Sequence, residues 1–329
     1  MRVAALFVAS ALAAGAASAV ISAQAPTTVD GLVSAAKAAA GTDWTGTLAR
    51  LCIPPPAVNR AATAPTRAEA TPRQDPPRDS WYAQPAKVGD NFYFLGTKVH
   101  HSWALTGRDG IIVIEALFEY AVADEVEGGL KQLGLDMRNV KYAVMSHAHA
   151  DHDGGAGYLQ DKVLGMHLVY GKEDWDAVEK RPGRKPKRDM VGTDGQVLSV
   201  GDASIQIVTM PGHTAGTLSY LFEFKDNGRP IRVAYVGGTA IPFDESPAWY
   251  DQYIASSKKM AKAAADYGAT ALISNHSEFD EGYLKAQTAA GRKQPGQPNP
   301  FEVGRDGVSR YFSTVAYCAE AAKLRAAKR

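Results

Sequence analysis

A chain of 329 residues with 45% hydrophobic and 22% charged residues lies in the globular range, with enough apolar material for a sizeable core, so disorder is not the default expectation. Its formal net charge of +1 supplies no strong field of either sign. Nucleic acid and an anionic membrane surface are therefore not expected partners, and a small-molecule substrate is.

The chain opens with MRVAALFVASALAAGAASA, residues 1–19: one Arg, an apolar stretch from Val3 to about Ala17, and small residues at Ala17 and Ala19. This is a signal-peptide layout, too short and Ala-rich for a span of roughly 20 strongly apolar residues. It predicts cleavage after Ala19, export to a bacterial periplasm, and no stable membrane insertion afterwards. Residues 20–85 read as an N-terminal extension. A short helix is expected from residue 29 to near Gly41, and a Pro/Ala-rich arm from Ile53 to Pro85, whose prolines deny it both helix continuity and a burial pattern. The two cysteines, Cys52 and Cys318, could pair in an oxidising compartment or stand as separate thiols.

The main domain is expected over 86–329. Short apolar runs bounded by turn signals predict strands in NFYFLG, HSWALTG and IIVIEALF, the last following Asp109-Gly110. A helix over about 119–133 is followed by the apolar run Val140–Met145, a buried strand ending at Ser146-His147. Further strands are expected in GMHLVYG, VLSV, SIQIVTM, LSYLFEF, IRVAYVG and ALIS, with a hairpin at Asn227-Gly228. Helices are expected over Lys172 to about Lys180, Ala248 to Tyr267 and Val308 to Lys328. The order predicts an α+β, four-layer αβ/βα sandwich, two mixed sheets packed face to face with helices outside.

Chemistry concentrates in Ser146–Gly155, SHAHADHDGG, where three imidazoles and two carboxylates lie within a few positions. Neutral imidazole is the commonest zinc donor, and a carboxylate completes such a site. On an extended loop His147 and His149 fall on one side, while Asp151 and His152, near the turn into a helix at Gly154-Gly155, can point to a second metal. The pattern His-x-His-x-Asp-His resembles the signature of the metallo-β-lactamase superfamily. Pro211-Gly212-His213-Thr214 and Ser274-Asn275-His276, each after an apolar strand, resemble its later ligand loops. The resemblance implies two Zn2+ per chain, the first on His147, His149 and His213 and the second on Asp151, His152 and His276. His100, His101 and His167 have no motif support; the first two are expected at the mouth or in a loop, the third in a strand.

In many members of this superfamily the strand IRVAYVGGTAI would end in an Asp that bridges both metals, and in one β-lactamase subclass in a Cys ligand. Here it ends in Gly237-Gly238-Thr239. A neutral hydroxyl at Thr239 resembles the third, Ser-bearing subclass of metallo-β-lactamases. Ile241 stands where that subclass carries a second hydroxyl for the substrate carboxylate, and the basic run Lys180–Asp189 is either a compensating cation source or a solvated loop. Asp244 and Glu245 could act as ligands only if their loop folded back. The implied activity is opening of a cyclic amide by an activated water, with Asp151 orienting it. The alternatives are lactone or ester hydrolysis by the same fold, and a metal-binding protein without turnover. Nothing in the sequence bears on oligomeric state.

Overall fold

The computed structural model describes residues 26–53, 75–242, 246–294 and 296–328. The expected signal peptide, the 54–74 part of the arm, and Asp244 and Glu245 lie outside the described residues. Helix α1 (Val29–Ala40) starts at Thr28, whose side chain accepts from the Gly31 N–H, and stops at Gly41, whose φ of 55° suits a residue without Cβ. It is followed by α2 (Thr45–Cys52) and the single turn α3 (Arg78–Trp81).

The first half contains β1 (Ala86–Lys87), β2 (Phe92–Phe94), β3 (Trp103–Gly107), β4 (Gly110–Ile114), α4 (Glu119–Val122), α5 (Gly128–Gln132), β5 (Val140–Val144), α6 (Ala150–Asp153), α7 (Ala156–Lys162), β6 (His167–Tyr170), α8 (Lys172–Lys180) and β7 (Met190–Val191). Its seven strands form one sheet in chain order, antiparallel up to β4 and parallel from β4 to β7. The second half contains β8 (Val197–Val200), β9 (Ala203–Thr209), β10 (Leu218–Asp226), β11 (Arg229–Val236), α9 (Pro247–Tyr267), β12 (Ala271–Ser274), α10 (Ser277–Asp280), α11 (Gly282–Ala290) and α12 (Gly304–Ala326). Its sheet runs β12-β11-β10-β9-β8, with β11 and β12 parallel and the rest antiparallel.

The inner faces of both sheets share one core. Phe92 stacks on Trp103 and on Phe224 of the opposite sheet, with ring centroids 4.9 Å apart in each case. A second core lies between the second sheet and α1, α2, α9 and α12, and a third between the first sheet and α4, α5, α7 and α8. The expected four-layer α+β sandwich is the observed fold.

Three differences from the expected elements have local causes. The run IIVIEALF leaves the sheet at Ile114, because Glu115 and Leu117 take left-handed conformations (φ 70° and 61°). The helix expected over 119–133 is interrupted by a π-helical turn, Ala123–Glu127, in which buried Glu125 accepts the Ala83 N–H at 2.8 Å. Helices α7 and α10 are too short to leave a clear apolar period, and α11 buries only small residues, Gly282, Ala286 and Ala289, which mark no apolar face.

Candidate metal centre

Strand β5 carries the chain to Ser146 and His147, and α6 begins at Ala150, earlier than the expected entry at Gly154-Gly155. The N–H groups of His152 and Asp153 both donate to the His149 carbonyl at 2.9 Å. This turn swings Asp151 and His152 away from His147 and His149. Six consecutive residues thereby serve two donor clusters.

In the first cluster His213 Nε2 lies 3.1 Å from His147 Nε2 and 3.2 Å from His149 Nδ1. The outward nitrogens set the tautomers: His147 Nδ1 donates to the Gly237 carbonyl and His213 Nδ1 to the Ala240 carbonyl, each at 2.8 Å. The Nε2 lone pairs then face each other, an arrangement that repels unless a cation lies between them. Tetrahedral zinc, with metal–nitrogen bonds of about 2.0–2.1 Å, separates its ligands by about 3.3 Å. The donors fit that ion.

The second cluster has the same dimensions. Asp151 Oδ2 lies 3.1 Å from His152 Nε2 and 3.3 Å from His276 Nε2, and the two imidazoles are 2.9 Å apart. Burial holds His147 well below the ordinary histidine range and lowers His213 to about 4 and His152 to about 3, so these rings are neutral donors at pH 7. Burial also lowers His276, but Asp151 and Glu278 outweigh it and push it up to about 9. Asp151, despite its burial, is held below the usual carboxylate range by His152 and His276. The second cluster thus already favours positive charge.

Several supporting residues carry no sequence motif. Asp174 ties the two loops of the first cluster together: its Oδ2 accepts Ala148 N–H at 2.7 Å and Thr214 Oγ1–H at 2.8 Å, and its Oδ1 accepts Gly216 N–H at 3.0 Å. Asn275 Nδ2 donates to the same Gly237 carbonyl as His147, at 2.7 Å. Glu115 is fully buried; it accepts Tyr235 O–H at 2.9 Å and Ser146 N–H at 3.2 Å, and its Oε2 lies 4.0 Å from the unpartnered His152 Nδ1. Burial pushes its carboxyl up to about 8. The one available signal for Glu115 is a carboxylate inside an apolar run.

Thr239 is buried, with Oγ1 2.8 Å from Ser274 Oγ and 2.9 Å from Tyr311 Oη. Ile241, read as a pocket position, is buried in the core between the second sheet and its helices. His101, expected at the mouth or in a loop, is in the loop before β3 and is fully buried, with Nδ1 2.6 Å from the Ser274 carbonyl and Nε2 2.9 Å from Ser277 Oγ. It anchors the loop that carries His276. His100 is half-buried at the edge of the second cluster, and His167 is in β6 as expected. The basic run is largely paired: Arg181 with buried Asp153, Arg184 with Asp161, and Arg188 with Asp176 and Glu179. Beside Ala150 and Phe118, Arg181, Arg184 and Lys185 line a cleft of about 470 Å³.

A model of the metallo-beta-lactamase superfamily matches residues 95–227. The chain is similar to the N-acyl homoserine lactonase AttM of Azorhizobium caulinodans, 32% identical over 113 residues that make up 30% of this chain and 42% of that protein. It is also similar to the hydroxyacylglutathione hydrolase of Crocosphaera subtropica, 26% identical over 169 residues, 49% of this chain and 56% of that protein. The chain spans about half the length of these curated relatives. Among solved structures it resembles the class B3 di-zinc metallo-beta-lactamase LRA-12 from an Alaskan soil metagenome, with a TM-score of 0.59 and 19% identity, covering 73% of this chain and 94% of that one. That likeness is one of fold. The family match includes the histidine-rich loop and His213, and the two-sheet sandwich places His276 beside them: over residues 95–227 the chain matches the metallo-beta-lactamase superfamily.

Proposed function

We propose that the protein is an exported di-zinc hydrolase that opens β-lactam rings. The observation that carries this reading is the pair of three-donor clusters, 3.1–3.2 Å and 2.9–3.3 Å between donors, with a neutral threonine at the end of β11 in place of a bridging carboxylate. His147, His149 and His213 hold the first zinc, and Asp151, His152 and His276 the second. When bound, the ions supply an acidified water and polarise the scissile carbonyl. The remaining duties fall on the chain. Asp151 orients the attacking water by accepting its hydrogen bond, while Gly237 and Ala240 carbonyls fix the tautomers of His147 and His213 so that their inward nitrogens stay unprotonated. The buried Cys52–Cys318 disulfide supports an oxidising destination such as the periplasm.

Similarity to a lactonase favours one other reading, lactone or ester hydrolysis by the same centre. The two are separated by one assay of purified zinc-loaded protein against penicillins, cephalosporins, carbapenems, N-acyl homoserine lactones and aryl esters. Turnover of β-lactams well above that of lactones is the expected result; the reverse order replaces the first reading by the second. Turnover of none leaves a metal-binding protein.

A further inference from the structure

The second cluster has a neighbour that no ligand motif includes. His100 lies in the loop between β2 and β3, and residues 97–101 are hydrogen-bonded to the loop that carries His276. His101 N–H donates to the Asn275 carbonyl at 3.0 Å, Ser277 N–H donates to the Val99 carbonyl at 2.8 Å, and His100 and His276 face each other as an isolated antiparallel bridge. Thr97 closes the loop, its Oγ1 accepting His100 N–H at 2.8 Å and its N–H donating to the His100 carbonyl at 2.8 Å. The backbone at position 100 is therefore fixed relative to the backbone at 276.

The imidazole is fixed as well. It meets Phe118 edge-on, with ring centroids 5.0 Å apart at 89°, and His276 at 4.9 Å and 76°. Among the described residues neither ring nitrogen has a hydrogen bond. Its Nε2 points at Asp151 Oδ2 across 3.7 Å, too far for a hydrogen bond. Donor atoms of His100, Asp151 and His276 all lie within 4.8 Å of one another. The His100 ring centroid is 6.2 Å from that of His152, so the two rings approach Asp151 and His276 from different sides. A third imidazole brought near the carboxylate that His152 and His276 already face, without hydrogen-bonding to it, is the arrangement expected of ligands that share an ion.

We propose that His100 is a further protein ligand of the second metal, which makes that position a site of three imidazoles and one carboxylate. The inference rests on the dinuclear reading above and adds to it an asymmetry: the second position has one more protein donor, and a negative one among them, than the first. The second metal is then the more tightly held of the two. This ordering follows from donor number and charge on this chain alone.

The test compares wild type with His100→Ala and His100→Phe, the latter keeping an aromatic ring against Phe118 while removing both nitrogens. Metal-free proteins are titrated with Co2+ and with Zn2+ against a chromophoric chelator, the visible Co2+ absorption is recorded at each equivalent, and far-UV circular dichroism confirms the fold. Wild type is expected to take two ions. Both variants are expected to hold the second one at least about tenfold more weakly, with a changed Co2+ spectrum for that equivalent and an unchanged affinity for the other. Two ions bound by both variants with wild-type affinities and spectra overturn the role of His100 and leave the dinuclear centre standing. A wild type that binds one ion or none overturns the dinuclear reading itself, and the His100 role with it.

Discussion

Asp151 has two proposed duties, metal ligand and orienter of the attacking water, and one substitution separates them. Asp151→Asn keeps the size and one oxygen donor but removes the charge that His152 and His276 face at 3.1 and 3.3 Å. Loss of one positioned group of this kind costs about 100 to 1000-fold in rate. Lost occupancy is repaired by excess zinc; lost orientation is not. The variant is expected to stay at least about tenfold slower than wild type when metal analysis shows both sites filled, and full recovery on adding zinc would restrict Asp151 to ligation. A second residue-scale outcome concerns Glu125, far in role from the metals. Burial pushes its carboxyl from 4.5 up to about 8, against the Ala83 N–H and Arg78, and its Oε2 has no hydrogen-bond partner. The folded state therefore binds a proton more tightly than the unfolded chain. This contribution to stability is fully present below about pH 4.5 and is lost as pH rises through 8. Glu125→Gln, which cannot ionise, is expected to gain on the order of 3 kcal/mol relative to wild type between pH 5 and 9, read from urea melts; a constant difference across that range removes the argument. The six side chains of the two donor clusters were legible in the sequence because zinc demands a narrow set of residue types, and the resemblance gives their order along the chain. His100, Glu115 and Asp174 were not: the fold alone brings His100 from the loop before β3 to the second cluster, and Glu115 and Asp174 act through neighbours that are distant in sequence.

At the scale of elements, the strands with strong alternation and the helices with clear ends were readable: α8 begins and ends where its charged and apolar residues predict. What composition could not convey was what α1 and α2 do. Helix α2 packs behind the His276 loop. Thr47 Oγ1 donates to the Phe279 carbonyl at 2.6 Å, Arg50 pairs with Glu278, and Gly46 lies so close that a Cβ there would sit 2.3 Å from the Glu278 carbonyl oxygen. Glu278 in turn lies 3.7 Å from His276 Nδ1. The Cys52–Cys318 bond joins the end of α2 to α12 and closes a loop of 266 residues. Loss of such a crosslink costs typically about 2–4 kcal/mol. The Cys52→Ala/Cys318→Ala double variant is expected to melt several degrees lower and, because α2 backs α10, to hold the second metal more weakly than the first. Equal weakening of both metals would mean that α2 stabilises the molecule without bracing the His276 loop.

For the whole molecule, the four-layer architecture and the face-to-face placement of its two sheets were legible from the order of elements and the resemblance, but the particular side chains that join the sheets, such as Phe92 on Phe224, were not. The face-to-face placement assembles the centre. His147, His149, Asp151 and His152 leave the first sheet after β5, whereas His213 comes from the β9–β10 connection and His276 from the end of β12, both in the second sheet. A metal bound there ties one sheet to the other, and it binds the folded chain in preference to the unfolded one. Such a ligand stabilises by about 4 kcal/mol when its free concentration is a thousand times its dissociation constant. At about 2–4 °C per kcal/mol for a domain of this size class, removal of metal by a chelator is expected to lower the melting temperature by roughly 8–16 °C. The transition should stay single, because Phe92, Trp103 and Phe224 join both sheets in one inner core that persists without metal. Scanning calorimetry of the zinc-loaded and chelated protein provides the measurement, with zinc added back to restore the first trace. An unchanged melting temperature would show that the donor clusters bind no ion with useful affinity in the folded state. Two separated transitions after chelation would show that the sheets depend on the metal, and not on the aromatic core, for their mutual packing.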